Sequence, residues 1–111
     1  MKLLPERRPI ASFGNGGFRF GDHSHRGHLL ILPSGMSAWD GIDYAPVMAE
    51  ISEIDFFVIG TGAKLARLSP AIAKALHPLQ VDAMSTSAAI HTYNLMLGEG
   101  RRVAAALIAV P

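Results

Sequence analysis

Three histidines, His23, His25 and His28, lie close together and are side chains that could hold a metal. Neutral imidazole suits zinc, copper, iron and nickel. In an extended segment, however, His23 and His25 share a face and His28 points away. No neighbouring motif supplies a clean third ligand, and the chain has no cysteine. The cluster therefore reads as an exposed polar loop that brings some pH sensitivity, and no metal is expected.

A second group is the run Gly60-Thr61-Gly62, which follows the apolar segment Asp55-Phe56-Phe57-Val58-Ile59. In open α/β sheets ligands gather beyond the carboxyl ends of strands, so this loop is one place to look for a ligand. It lacks the third glycine of a dinucleotide fingerprint and the Gly-Lys-Ser/Thr of a P-loop, and no helix follows at once. A tight strand exit is the favoured reading. The alternative is a cleft in which Gly60, Thr61 and Gly62 meet Tyr93, Asn94 and Arg101. Backbone N–H groups and the Arg101 guanidinium would then recognise an anion. That reading requires Arg101, Thr61 and Tyr93 or Asn94 to converge on one polar pocket. Ser34, Ser37, Ser85 and Ser87 stand in no nucleophile-elbow pattern, so no catalytic residues are assigned. Trp39, the one tryptophan, reads as a plug over the core edge with its N–H bonded to a nearby carbonyl. A ligand platform is the alternative.

These residues sit in a chain of 111, a length for one domain. Half of the residues are hydrophobic and 17% are charged, enough for a core without staples. The formal charge of +1 gives no broad electrostatic case for nucleic acid or a membrane surface. Pro5, Glu6, Arg7 and Arg8 interrupt the start before an apolar run of signal-peptide length can form. No stretch approaches a membrane span. A soluble, cytoplasmic protein is the expectation.

Residues 1–12 read as an irregular arm, because Pro5 and Pro9 favour extended backbone, and residues 13–111 as one α/β domain. Phe18-Arg19-Phe20 alternates as a half-buried strand does, and His28 to Leu32 reads as its hairpin partner across a loop of about six residues. Residues 33–50 read as an irregular crossing, with Pro46 opening a short helix over Val47 to Ser52 that packs Val47, Met48 and Ile51. Asp55 to Gly60 is a continuous apolar run, as in a strand buried on both faces. Ser69 and Pro70 suit the N-cap and first turn of a helix that stops before Pro78. Leu79 to Met84 is a short strand. Ser85 or Thr86 caps the next helix, whose Ala89, Ile90, Tyr93, Met96 and Leu97 share one apolar face. Gly98 and Gly100 end it, and Val103 to Val110 reads as a buried strand. Strands alternating with helices argue for βα units and at least partly parallel pairing.

With these residues in view, the chain resembles a family of small domains of unknown biochemical activity. That family includes bacterial stand-alone proteins and the mitochondrial respiratory complex I assembly factor 3. The resemblance rests on Phe18-Arg19-Phe20, Leu29 to Pro33, Trp39, Phe57 to Gly62, Thr86, Ala89, Thr92-Tyr93-Asn94, Glu99-Gly100-Arg101 and Val103 to Leu107. It implies a three-layer α/β domain around a mixed sheet of about five strands, the last antiparallel to its neighbours. Ser85 replaces a common Asp and Ile90-His91 a common Cys-Arg. Taken together, the expectation is a single three-layer domain around a mixed, mostly parallel sheet, with packed helices and an N-terminal hairpin.

Two functions follow as expectations. One is a non-catalytic binding or assembly-type module with a protein partner, no cofactor and no nucleic acid. It requires an exposed apolar patch. The other is a small-molecule or anion binder, or an enzyme, built on the Gly60 to Gly62 loop and Arg101.

Overall fold

The structure is a computed structural model and describes residues 2–111. In chain order the strands are β1 (Lys2–Leu4), β2 (Ser12–Gly14), β3 (Gly17–Phe20), β4 (His23–Arg26), β5 (Leu29–Leu32), β6 (Gly35–Ala38), β7 (Phe56–Gly60), β8 (Gln80–Met84) and β9 (Val103–Leu107). The helices are α1 (Ala45–Ala49), α2 (Pro70–Leu76) and α3 (Thr86–Gly98), with a 3-10 turn at Ile51–Glu53.

Six strands form the main sheet in the order β1-β6-β5-β9-β7-β8. The expected three-layer α/β domain with a mixed sheet is what forms. The sheet has six strands where the resemblance implied about five, because β1 and β6 join it while Phe18-Arg19-Phe20 goes to a separate sheet. Pairing is antiparallel from β1 to β9 and parallel across β9-β7-β8. The last strand is therefore antiparallel to β5 but parallel to β7, and it lies in the interior of the sheet rather than at an edge.

The apolar runs explain these positions. Every residue of β5, β7 and β9 is buried, as strands covered on both faces must be. Across the three strands large and small residues alternate. Leu30 and Ile59 flank Ala106 on one face, and Ile31 and Val58 flank Ala105 on the other. The alanines of VAAAL, poor strand formers in isolation, leave room for the large neighbours and for the helices above them. One core lies under α3 and joins Phe18, Phe20, Ile31, Val58, Tyr93 and Ala105. The other lies under α1 and α2 and joins Leu30, Trp39, Val47, Phe57, Leu76 and Ala106.

Three sequence expectations are corrected. The arm begins with a strand, β1, paired to β6 at the sheet edge. The N-terminal hairpin joins different partners: β3 pairs with β4 through the Gly21-Asp22 turn, whereas β5 pairs with β6 through Pro33-Ser34. His23 and His25 are thus strand residues, not loop residues. The reason is burial. Leu29 to Leu32 needs cover on both faces, which only the main sheet provides, while polar His23 to Arg26 suits a strand with a solvent face. Together β2, β3 and β4 form a separate three-stranded sheet. Finally, Met48 of α1 is exposed, and Val47 alone of that helix is fully buried.

The two well-marked helix starts behave differently. Ser85 Oγ accepts the Ala88 N–H at 3.3 Å, as an N-cap should. Ser69 holds the N-cap position of α2 without a side-chain bond.

Candidate functional site

At the C-terminal end of β7 the chain makes a closed knot. The Thr61 N–H donates to the Met84 carbonyl at 2.8 Å, and Thr61 Oγ1 accepts the Ala66 N–H at 2.9 Å and donates to the Lys64 carbonyl at 2.8 Å. Thr86, fully buried, accepts the Gly62 N–H on Oγ1 at 3.0 Å and donates to the Ile108 carbonyl at 2.7 Å. Its own N–H returns to the Gly62 carbonyl at 2.8 Å. Gly60 suits the same close packing. A Cβ there would sit 3.0 Å from Thr86 Cα and from Leu107 Cδ2. The backbone donors of Thr61 and Gly62 are therefore spent on the chain itself, as a tight strand exit requires.

Arg101 lies at the opposite end of the sheet. Phe56 is in register with Val103 and Gly60 with Leu107, so the two ends are about 13 Å apart at roughly 3.3 Å per residue. Arg101 is exposed and donates its N–H to the Met96 carbonyl at 3.0 Å. Next to it, Arg102 grips Asp55 through Nη2 at 2.7 Å and Nε at 3.1 Å. That guanidinium holds the Asp55 carboxyl below its ordinary pKa.

Tyr93 and Asn94 sit between the ends and face the arm. The Tyr93 hydroxyl donates to the Arg8 carbonyl at 2.7 Å, and burial pushes its pKa up. Asn94 Nδ2 donates to the Ile10 carbonyl at 2.9 Å, and its Oδ1 accepts the Ile10 N–H at 2.8 Å. The six residues proposed for a cleft are not brought together. Gly60, Thr61 and Gly62 close one end of the sheet, Tyr93 and Asn94 clasp the arm, and Arg101 projects from the other end. His91 is exposed.

The histidines also separate. His25 Nε2 donates to the His28 carbonyl at 2.9 Å. His28 Nδ1 accepts the Ala109 N–H at 2.9 Å, so a neutral His28 carries its proton on Nε2. Among the described residues no group of His, Asp and Glu is placed to hold a metal ion.

Trp39 matches the expected plug. Its Nε1–H donates to the Asp43 carbonyl at 2.8 Å, and its ring meets Tyr44 edge-on at 5.4 Å. Beside it lies a groove of about 380 Å³ with Leu30, Leu32, Trp39 and Pro46 as its apolar lining. Asp40 and Asp43 stand at its rim. Backbone N–H groups of Asp43 and Ile42 hold the Asp40 carboxyl below its ordinary pKa. Ile42, next in sequence to this rim, is 77% exposed, and Met48 of α1 is 40% exposed. Sequence reading missed the groove. The one available signal was Ile42, an apolar residue in a turn-forming Asp40-Gly41 context.

The three-layer arrangement, with β9 between an antiparallel and a parallel half-sheet, defines a small mixed α/β domain. The chain belongs to the family described as "Protein of unknown function (DUF498/DUF598)", whose model matches residues 10–108. It is 41% identical to an uncharacterized protein of Rhodobacter capsulatus over 93% of this chain and 86% of that protein. It is 28% identical to the Bos taurus NADH dehydrogenase [ubiquinone] 1 alpha subcomplex assembly factor 3, over the whole of this chain and 68% of that protein. The crystal structure of an outer membrane protein from Bartonella henselae superposes with a TM-score of 0.93 at 40% identity. That match covers 98% of this chain and all of the other.

Proposed function

We propose that this chain is a non-catalytic, assembly-type module that binds a protein partner, in the manner its vertebrate relatives' name implies for a respiratory NADH dehydrogenase. The observation that carries the reading is the similarity to the bovine assembly factor along the full length of this chain. The Trp39 groove supports it, because an apolar lining with Ile42 exposed between the lining residues Asp40 and Asp43 is the kind of surface a partner covers. Large apolar side chains in such a place anchor interfaces. A cytoplasmic location belongs to the same proposal. Among the described residues no helix is long and apolar enough to cross a membrane.

Affinity capture from the native cell tests it, run in parallel with the unaltered chain and an Ile42→Asp variant. The expected result is a discrete set of subunits or assembly proteins of the respiratory NADH dehydrogenase with the unaltered chain, depleted with the variant. Recovery of the same proteins with both would remove the groove from the proposal. Recovery of none from that complex would remove the assembly role.

A further inference from the structure

The three-stranded sheet presents a surface that is separate from the Trp39 groove. Ser12, Arg19 and Ser24 stand opposite one another across β2, β3 and β4, and Gly14, Gly17 and Arg26 make the next row. Opposed residues and their i+2 neighbours share a face of a sheet, so the two rows look the same way. Phe18 and Phe20 look the other way, into the core. The outer face therefore carries two arginines, two serines and glycine backbone. It is hollow, with a depression of about 280 Å³ lined by these residues, by Asn15 and by parts of Phe13, Phe18 and His25.

Neither arginine is balanced. Among the described residues the ion pairs are Arg8 with Glu6 and Arg102 with Glu53 and Asp55, and Arg19 and Arg26 have none. They occupy diagonal positions on neighbouring strands, where Cα atoms lie about 7–8 Å apart and like charges repel. Arg26 is nonetheless held in place. Its Nη1 donates to the Asn15 carbonyl at 3.1 Å. The turn that bears Asn15 is fixed by Gly16 N–H to the Val110 carbonyl and Gly27 N–H to the Gly16 carbonyl, both at 2.7 Å. The rest of the Arg26 fork remains unspent. The first 28 residues carry Lys2, Arg7, Arg8, Arg19 and Arg26 against only Glu6 and Asp22, although the whole chain is nearly neutral at +1.

We propose that this face binds a phosphate monoester dianion between Arg19 and Arg26, with the Ser12 and Ser24 hydroxyls as further donors. Guanidinium forks match phosphate oxygens two at a time. A doubly charged ligand cancels the repulsion between the two arginines, which a neutral one does not. A free phosphate ester and a phosphatidate headgroup present the same dianion.

Amide chemical shifts of the whole chain, followed by NMR at constant ionic strength in sodium chloride, test the site with glycerol 3-phosphate as the probe. The expected result is saturable shifts confined to residues 12–19 and 24–26. Arg19→Gln and Arg26→Gln, both at exposed positions, should each weaken the apparent Kd by about tenfold or more without shifting amides elsewhere. Co-sedimentation with phosphatidylcholine vesicles with and without phosphatidic acid is the second arm. Arginine-dependent sedimentation assigns the lipid source, and saturation by the soluble ester alone assigns the free one. Shifts that do not saturate, that spread over the chain, or that persist in both variants overturn the proposal. It stands independently of the protein-binding role, since the two surfaces share no residue.

Discussion

Asn94 pairs with the peptide of Ile10 as one strand pairs with another. Its side-chain amide gives one hydrogen bond to the Ile10 carbonyl and takes one from the Ile10 N–H. Ile10 itself is buried in the core under α3. The side chain thus replaces the backbone partner that an arm with Pro9 beside it does not otherwise have. Asn94→Ala should cost about 2–3 kcal/mol, the value of two part-buried bonds whose backbone partners are left unsatisfied. Asn94→Asp should fall at least as far, because it sets a carboxylate oxygen against the Ile10 carbonyl. Chemical denaturation gives both values, and an Asn94→Asp variant as stable as the parent would sink the account.

Tyr93 does two separable things. The ring fills the core and the hydroxyl holds the Arg8 carbonyl. Tyr93→Phe should cost about 1 kcal/mol for the lost bond, and Tyr93→Ala about 3–5 kcal/mol for the lost ring. Hydrogen exchange adds a spatial check. In the Phe variant, faster exchange should be concentrated in the arm, with β7 and β9 protected as before.

Thr86 carries a prediction about the β7 exit. Thr86→Val keeps the shape but orphans the Gly62 N–H and the Ile108 carbonyl. A loss of about 2–3 kcal/mol is expected. Thr86→Ser retains the hydroxyl and should lose less. If Val and Ser variants unfold at the same denaturant concentration, the hydroxyl is not what ties this end of the sheet.

The Asp55–Arg102 pair predicts a pH dependence. Hydrogen bonding and charge from Arg102 lower the Asp55 pKa in the folded state. A depressed carboxylate pKa stabilises the fold above the unfolded-state value, and the contribution is lost as pH falls through the lowered one. Asp40, held down by backbone N–H groups, adds a dependence of the same sign. Arg102→Ala should therefore flatten part of the acid limb of a stability–pH curve, not all of it. Both partners are exposed, so the Arg102-dependent part should shrink in high salt. Arg101→Ala, with its side chain in solvent, should leave stability nearly unchanged.

The sequence was legible where local pattern and burial agree. Phe56 to Gly60 is a continuous apolar run and is buried throughout. The α3 face of Ala89, Ile90 and Tyr93 lies in the core, and Ser85 caps as its type allows. It was illegible where a partner far along the chain decides. Gly35 to Ala38 has neither alternation nor β-branched residues, and it is a strand because β5 and β1 flank it. His23 to Arg26 has no apolar side and is held by β3. The Thr92-Tyr93-Asn94 run stood out in the sequence, but the partners of Tyr93 and Asn94 are Arg8 and Ile10. No local spacing encodes that contact.

The place of β9 has a consequence for how the sheet closes. It is the last of the described strands in chain order, yet it alone joins β5 to β7. Until residues 103–107 are in place, the antiparallel half and the parallel half each expose an unpaired inner edge, with Leu29 to Leu32 on one and Phe56 to Gly60 on the other. Such edges invite pairing with other chains. Closure of the main sheet therefore waits on those five residues, which cover both edges at once.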